Sequence, residues 1–277
     1  MTTLLVLGAS GHLGGEVARR ALAAGHRVAA TSTTGTPAAA GISWHALDLR
    51  DRTAVTDLLH RVRPDTVVNT AYHPGDWAVT ADGAAHAALA AAATGARLLH
   101  VSSDAVFSGH LPAYPETAPP DPVNTYGAAK AAAETAIKAV HPDAVIARTS
   151  LIIGNGASAH ERRVHDLVSG AATGALFTDD VRCPVHVGDL ADALLELAAT
   201  DRTGVHHLAG PDALSRHELG VLIARRDGLD PDRLPRGSRA ASGPPGPLDV
   251  RLDCTATQQV LRTELRGART FLAPPPH

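Results

Sequence analysis

Seven residues near the start of the chain limit what it can fold into. Gly8-Ala9-Ser10-Gly11-His12-Leu13-Gly14 follows a short apolar run, Thr3–Leu7, and precedes an Ala-rich stretch over 12–24 that stops at Gly25. Glycines at these places let the chain turn sharply and let backbone N–H groups approach a pyrophosphate, and the last one permits close packing of helix on strand. A strand, a G-x-x-G-x-x-G turn and a helix, in that order within a βαβ unit, form the context in which such a turn binds a dinucleotide. The alternative is a tight βα turn with no ligand.

The rest of the first half repeats the alternation. Strand-like runs fall at 26–31, 42–46, 66–69, 97–102 and 144–149, and helical spacing at 52–62, 80–94 and 128–140. Strands alternating with helices at this pitch predict a Rossmann-type α/β fold, a doubly wound parallel sheet. Residues 108–124 hold five prolines and read as a surface loop. After Gly154 the pattern weakens. Helices are expected at 160–170, 189–199, 215–226 and 255–263, short strands near 205–208 and 248–252, a Pro/Gly-rich loop at 235–247 and a frayed tail at 273–277. This divides the chain into a dinucleotide-binding domain, 1–154, and a small substrate-binding cap with C-terminal elements packed on the same sheet, 155–277.

Composition removes other classes. Of 277 residues, 44% are hydrophobic and 19% charged, so a sizeable core is available. Only 3% are aromatic, which argues against stacking platforms for nucleic acid, and 25 basic against 28 acidic residues leave no excess charge for a phosphate backbone. No run of 18 apolar residues is present, and no basic, then apolar, leader opens the chain, so neither a membrane nor a secretory route is expected. Two cysteines, Cys183 and Cys254, make no disulfide framework. The expected setting is the cytoplasm and the expected partner a small molecule. His160 and His165 are five apart, off the spacing that brings two imidazoles to one helical face, so no metal is expected.

Two further features carry chemistry. Strand two ends in Thr31-Ser32-Thr33-Thr34 without the acid that bonds a ribose 2′-hydroxyl, which favours NADP(H) over NAD(H). Asp48, at the end of strand three, either meets an adenine amino group or caps the following helix. Tyr126 and Lys130 are four residues apart, one helical turn, and so share one face. A neighbouring ammonium favours phenolate, and a phenol with its pKa brought near neutrality can protonate a carbonyl oxygen that receives hydride.

With GASGHLG (8–14), LDLRD (47–51), RPDTVVNTAY (63–72), LLHVSSDAVFSG (98–109), YPETAPPDPVNTYGAAK (114–130), IARTSLIIG (146–154) and DDVRCPVHVGDLADALLEL (179–197), the chain resembles the extended short-chain dehydrogenase/reductase family. Within it the similarity is to the dTDP-4-dehydrorhamnose reductase group, which also includes the regulatory β subunit of methionine adenosyltransferase. The resemblance implies that Ser103 bonds the substrate carbonyl, Tyr126 donates the proton and Lys130 binds the nicotinamide ribose and tunes Tyr126. It implies that Asp104 touches the sugar, that Asn69 and Ala71 lie beside the cofactor, and that Arg182 and His186 match an R-x-x-x-H whose arginine contacts a diphosphate. The group usually has an aromatic where Ala105 stands, and a longer cap.

The expected catalytic residues are therefore Ser103, Tyr126 and Lys130. The expected cofactor residues are Gly8, Ser10, Gly11, His12, Leu13, Gly14, Ser32, Thr33, Asp48, Leu49, Thr70, Ala71, Tyr72, Val101, Tyr126 and Lys130. Asp104, Tyr126, Arg182 and His186 are expected at the substrate. Arg148 is a ligand or the partner in a structural ion pair, and Trp77 packs or walls the pocket. The expected activity is NADPH-dependent reduction of a ketone on a sugar nucleotide or related polyol. The alternatives are a non-catalytic NADP-binding regulatory subunit, and an epimerase or dehydratase that retains NAD. A homodimer through the helices at 80–94 and 128–140 fits the resemblance.

Overall fold

The computed structural model describes residues 2–33, 35, 40–242 and 246–273. The part of the expected loop at 243–245 and the tail from 274 lie outside the described residues. Strand β1 (Thr3–Leu7) leads into α1 (His12–Ala23), then β2 (Arg27–Ser32), β3 (Ile42–Ala46), α2 (Arg52–Val62), β4 (Thr66–Asn69), α3 (Gly83–Thr94), β5 (Arg97–Ser103), α4 (Thr125–Val140) and β6 (Val145–Thr149). Then follow β7 (Ile152–Ile153), α5 (Ala159–Ser169), β8 (Leu176–Phe177), β9 (Val181–Arg182), β10 (Val185–His186), α6 (Val187–Ala198), β11 (Gly204–Leu208), β12 (Leu214–Ser215), α7 (Arg216–Arg226) and β13 (Arg236–Gly237).

Seven strands make one parallel sheet in the order β11-β6-β5-β4-β1-β2-β3. The expected doubly wound α/β fold is observed. Strand order reverses between β1 and β4, and a crevice opens there beyond the carboxyl ends of the strands. The two faces of the sheet are read off β1. Leu4 and Val6 pack with Val17, Ala21, Leu190 and Leu194 of α1 and α6, while Leu5 and Leu7 pack with Leu58, Ala87, Ala91 and Ile137 of α2, α3 and α4. Burial on both faces is why the parallel strands read as unbroken apolar runs. The alanines let helices lie close.

The last third of the chain is shared between two layers. α6 packs beside α1, where Arg20 meets Asp192 at 2.5 Å, and β11 extends the sheet along β6. α5 and α7 instead close a separate cluster built on Val164, Leu167, Leu219 and Ile223 over the crevice.

Several boundaries differ from expectation for local reasons. α4 starts at Thr125 rather than 128 because the Asn124 side chain accepts the Gly127 N–H at 2.8 Å, a helix N-cap. This draws Tyr126 into the first turn. The helix expected from 80 is entered through a π-helical turn, Ala78–Asp82. The helix expected at 255–263 is one turn, Thr255–Gln258, because the Glu196 carboxylate takes the Arg262 and Thr263 N–H groups. The strand expected near 248–252 is two isolated bridges, Asp249 to Val181 and Leu252 to Tyr114. No helix among the described residues is long and apolar enough to cross a membrane.

Candidate active site

A cavity of about 540 Å³ lies in the crevice, and the glycine turn forms one of its walls. Gly8 has φ +78°, and a Cβ there would stand 2.7 Å from the Ala71 backbone. A Cβ on Gly14 would meet both the Gly8 carbonyl oxygen and Thr70 Oγ1 at 2.5 Å. The turn is pinned behind by Thr31, whose hydroxyl accepts the Gly8 N–H at 3.1 Å and whose carbonyl accepts that of Ala9 at 3.0 Å. In front, Gly11 is the N-cap of α1 and no side chain caps that helix. Its first-turn N–H groups are left for a ligand, and Gly11, His12, Leu13 and Gly14 all face the cavity. His12 Nε2 is buried without a partner, and burial lowers the imidazole pKa. An uncapped helix start, a cradle that Cβ atoms would fill and an orphaned ring nitrogen fit the pyrophosphate of a dinucleotide.

Opposite the turn, β5 ends and α4 begins. Ser103 Oγ accepts the Ala105 N–H at 3.1 Å, donates to Asp104 Oδ1 at 3.2 Å and lines the cavity together with the Tyr126 phenol. The Tyr126 ring tilts against Tyr72 with centroids 5.9 Å apart. One turn on, Lys130 is buried, donates to the Val101 carbonyl at 2.9 Å and stands 5.4 Å from the centre of the Tyr72 ring. Burial lowers the Lys130 pKa to about 8. The structure corrects the expected tuning of the phenol. Burial first, then the Tyr72 phenol, push the Tyr126 pKa up, against the downward pull of the Ser103 hydroxyl. The ammonium is engaged by Val101 instead.

Of the other expected cofactor residues, Thr70, Tyr72 and Val101 also line this cavity. Ser10, Ser32, Thr33, Asp48, Leu49 and Ala71 do not. Ser32 is buried in β2, and Leu49 is buried in the core beneath α3, where a Cβ on Gly83 would touch it. The Asp48 carboxylate pairs with Arg50 at 2.6 Å, and α2 is capped by Asp51. Ala71 backs Gly8. Asn69 is buried, accepting the Ala71 N–H at 3.1 Å and facing His100 Nδ1 at 3.2 Å.

Asp104 and Arg182 both line the cavity, yet each is already engaged. Asp104 accepts from Ser150 at 2.6 Å and lies 3.7 Å from Arg182 Nε. Arg182 pairs with Asp180 at 2.8 Å and donates to the carbonyls of Val181 and Pro247 at 2.7 and 2.8 Å. His186 departs from its expected role. Its Nδ1 accepts the Gly188 N–H at 3.1 Å as the N-cap of α6, its ring lies edge-on to Phe271, and it is not among the residues that line this cavity. Arg148 is the ion-pair partner rather than a ligand. Its Nη2 donates to Glu134 at 2.7 Å, both side chains are 1% exposed, and Ser102 donates to the same carboxylate at 2.6 Å. Trp77 is exposed and stands off the walls.

Sequence reasoning missed the far wall, formed by Ser150, Ser158, His160, Arg162, Arg216 and Arg239. Part of it had a signal. Ser215 and Glu218, like Ser158 and Glu161, form capping boxes, which mark the starts of α7 and α5. These starts carry Arg216 and His160 to the crevice.

A family model described as the RmlD substrate binding domain matches residues 1–273. The chain belongs to this family. RmlD-family relatives include the dTDP-4-dehydrorhamnose reductase of Mycobacterium tuberculosis, 31% identical over 289 residues that cover 98% of this chain and 91% of the relative. Among solved structures, a hypothetical dTDP-4-dehydrorhamnose reductase from Sulfolobus tokodaii superimposes with a TM-score of 0.83 at 28% identity, covering 96% of this chain and 97% of that one. The Bacillus anthracis dTDP-4-dehydrorhamnose reductase, solved in complex with NADP, shares the fold with a TM-score of 0.81 at 22% identity, over 98% and 96% of the two chains. The resemblance to the extended short-chain dehydrogenase/reductases is thereby borne out, and the RmlD-family chain is an oxidoreductase of that type.

Proposed function

We propose that the chain is an NADPH-dependent reductase of a ketone on a nucleotide-linked 4-keto-6-deoxy sugar, with residues 1–154 holding the cofactor and 155–277 supplying a small cap over the substrate together with elements packed on the same sheet. The observation that carries this reading is that Ser103, Tyr126 and Lys130 line one cavity that the glycine turn also walls. It brings a hydroxyl that can orient a carbonyl next to a phenol that can protonate it. The RmlD-family relatives named as sugar-nucleotide reductases support the substrate class.

Gly8, Gly11 and Gly14 would hold the pyrophosphate, with Thr70, Tyr72 and Val101 along the remainder of the dinucleotide. When bound, the reduced nicotinamide supplies hydride to the carbonyl carbon. Because burial raises its pKa, Tyr126 stays protonated at neutral pH and keeps a proton for the developing alkoxide. Ser103 donates to the same oxygen and fixes its place. Lys130, held on Val101, offers its ammonium to the ribose. The absence of an acid at the end of β2 supports NADPH over NADH.

The test is NADPH consumption by the purified protein with a panel of ketones. Turnover of the dTDP-linked 4-keto-6-deoxy sugar, with little for the free sugar, is expected. Inertness towards every ketone would overturn the reading, and NAD retained through purification would favour an epimerase or dehydratase.

A further inference from the structure

Tyr126, Lys130 and Glu134 recur at four-residue steps along α4 and so share one face of it. The first two line the cavity, whereas Glu134 is buried outside its walls. Its carboxylate gathers two strands. Oε1 accepts the Ser102 hydroxyl at 2.6 Å and Arg148 Nε at 2.9 Å, and Oε2 accepts Arg148 Nη2 at 2.7 Å. Arg148 Nη1 in turn donates to the Ala118 carbonyl at 3.1 Å. One side chain of α4 thereby ties together the end of β5, the end of β6 and the loop over 108–124.

A buried ion pair adds little stability over apolar side chains of the same volume, because desolvation offsets the attraction of the charges. What hydrogen bonds add is direction. Along β5 the side chains alternate between faces: Leu98 packs towards α3 and α4, Leu99 and Val101 towards α1 and α6, and Ser102 again reaches α4. Holding Ser102 against α4 therefore fixes the rotation of β5 at its last residues, and with it the direction of Ser103. Lys130 also joins α4 to β5, through the Val101 carbonyl at 2.9 Å, but its ammonium borders the cavity and is open to a ligand there. The Glu134 tie lies behind it and does not depend on what fills the cavity.

We infer that Glu134 is a positioning residue for the reduction: by holding Ser102 and Arg148 it seats β5 and β6 on α4 and sets the place of Ser103 relative to Tyr126. The inference rests on the reading that Ser103 and Tyr126 act on a ketone, and it adds the group that holds their two elements in place.

Ser102→Ala tests it, since this variant removes one hydrogen bond and leaves the Glu134–Arg148 ion pair whole. The chain has three tyrosines, so ¹³C labelling of tyrosine gives few signals, and Tyr126→Phe identifies one of them. In Ser102→Ala the Tyr126 signal is expected to move, and kcat for the ketone to fall about tenfold with KM and NADPH affinity unchanged, the scale of a small misplacement of reacting groups. Ser102→Thr, which returns the hydroxyl, is expected to recover most of kcat. An unmoved Tyr126 signal with wild-type kcat in Ser102→Ala overturns the inference. A rise in KM alone also overturns it, by making Ser102 a substrate contact, and so does a Ser102→Thr protein no faster than Ser102→Ala. A moved Tyr126 signal in a protein whose wild type reduces no ketone supports the seating role of Glu134 while overturning the reductase reading.

Discussion

Ser103 and Tyr126 line the same cavity although one ends β5 and the other opens α4. Two caps hold the pair. Asn124 starts α4 early enough to carry Tyr126 inward, and Ser103 itself caps the short turn Asp104–Val106. The geometry therefore depends on backbone fixed at both ends, and the surrounding supports can be tested one at a time.

Gly14→Ala should damage cofactor binding more than folding. The added methyl would meet the Gly8 carbonyl and Thr70 Oγ1 at 2.5 Å, forcing the turn open just where a pyrophosphate approaches. NADPH affinity, measured by nucleotide fluorescence, is expected to fall by about tenfold or more.

Glu134→Gln should be strongly destabilising. It leaves the Arg148 guanidinium, 1% exposed, without its counter-charge in the core. The expected cost is about 3–5 kcal/mol, read as a lower urea midpoint at unchanged slope.

His186→Ala separates a helix cap from a substrate ligand. Loss of the Gly188 contact should cost about 1 kcal/mol of stability. KM for the ketone should not change. A several-fold rise in KM with stability intact would return His186 to the substrate site.

Lys130 gives the cofactor-free protein a distinct pH dependence. Its pKa falls from 10.5 to about 8 on burial, so between these values the unfolded chain binds a proton that the folded chain lacks. The cost of burying the charge is complete below about pH 8, and stability recovers as pH rises towards 10.5. The recovery approaches roughly 3 kcal/mol. In Lys130→Met it should vanish, so the stability difference between variant and wild type, from urea unfolding at pH 8 and pH 10, should shrink as pH rises. A constant difference would contradict the assignment.

The sequence revealed most where the signal was local. The apolar run Thr3–Leu7 ends at the glycine turn because a strand buried on both faces has to stop where the backbone approaches a ligand. The spacing of Tyr126 and Lys130 likewise put them on one face of α4. The tasks given to His186, Asp48 and Arg182 were not legible. They depend on partners brought in by tertiary structure or by rivals close at hand: Pro247 for Arg182, Asp51 for the cap of α2, the Gly188 N–H for His186. The raised pKa of Tyr126 was not legible for a related reason. Spacing shows that Lys130 is near, but not that Val101 engages its ammonium or that the half-buried phenol stands against Tyr72.

Tyr126→Phe tests the central claim most directly. It removes the proton to be donated and leaves the glycine cradle untouched. With NADPH and the dTDP-linked 4-keto-6-deoxy sugar, kcat is expected to fall about 10²–10⁴-fold while NADPH binds as in the wild type. Turnover by Tyr126→Phe at close to the wild-type rate would contradict the account.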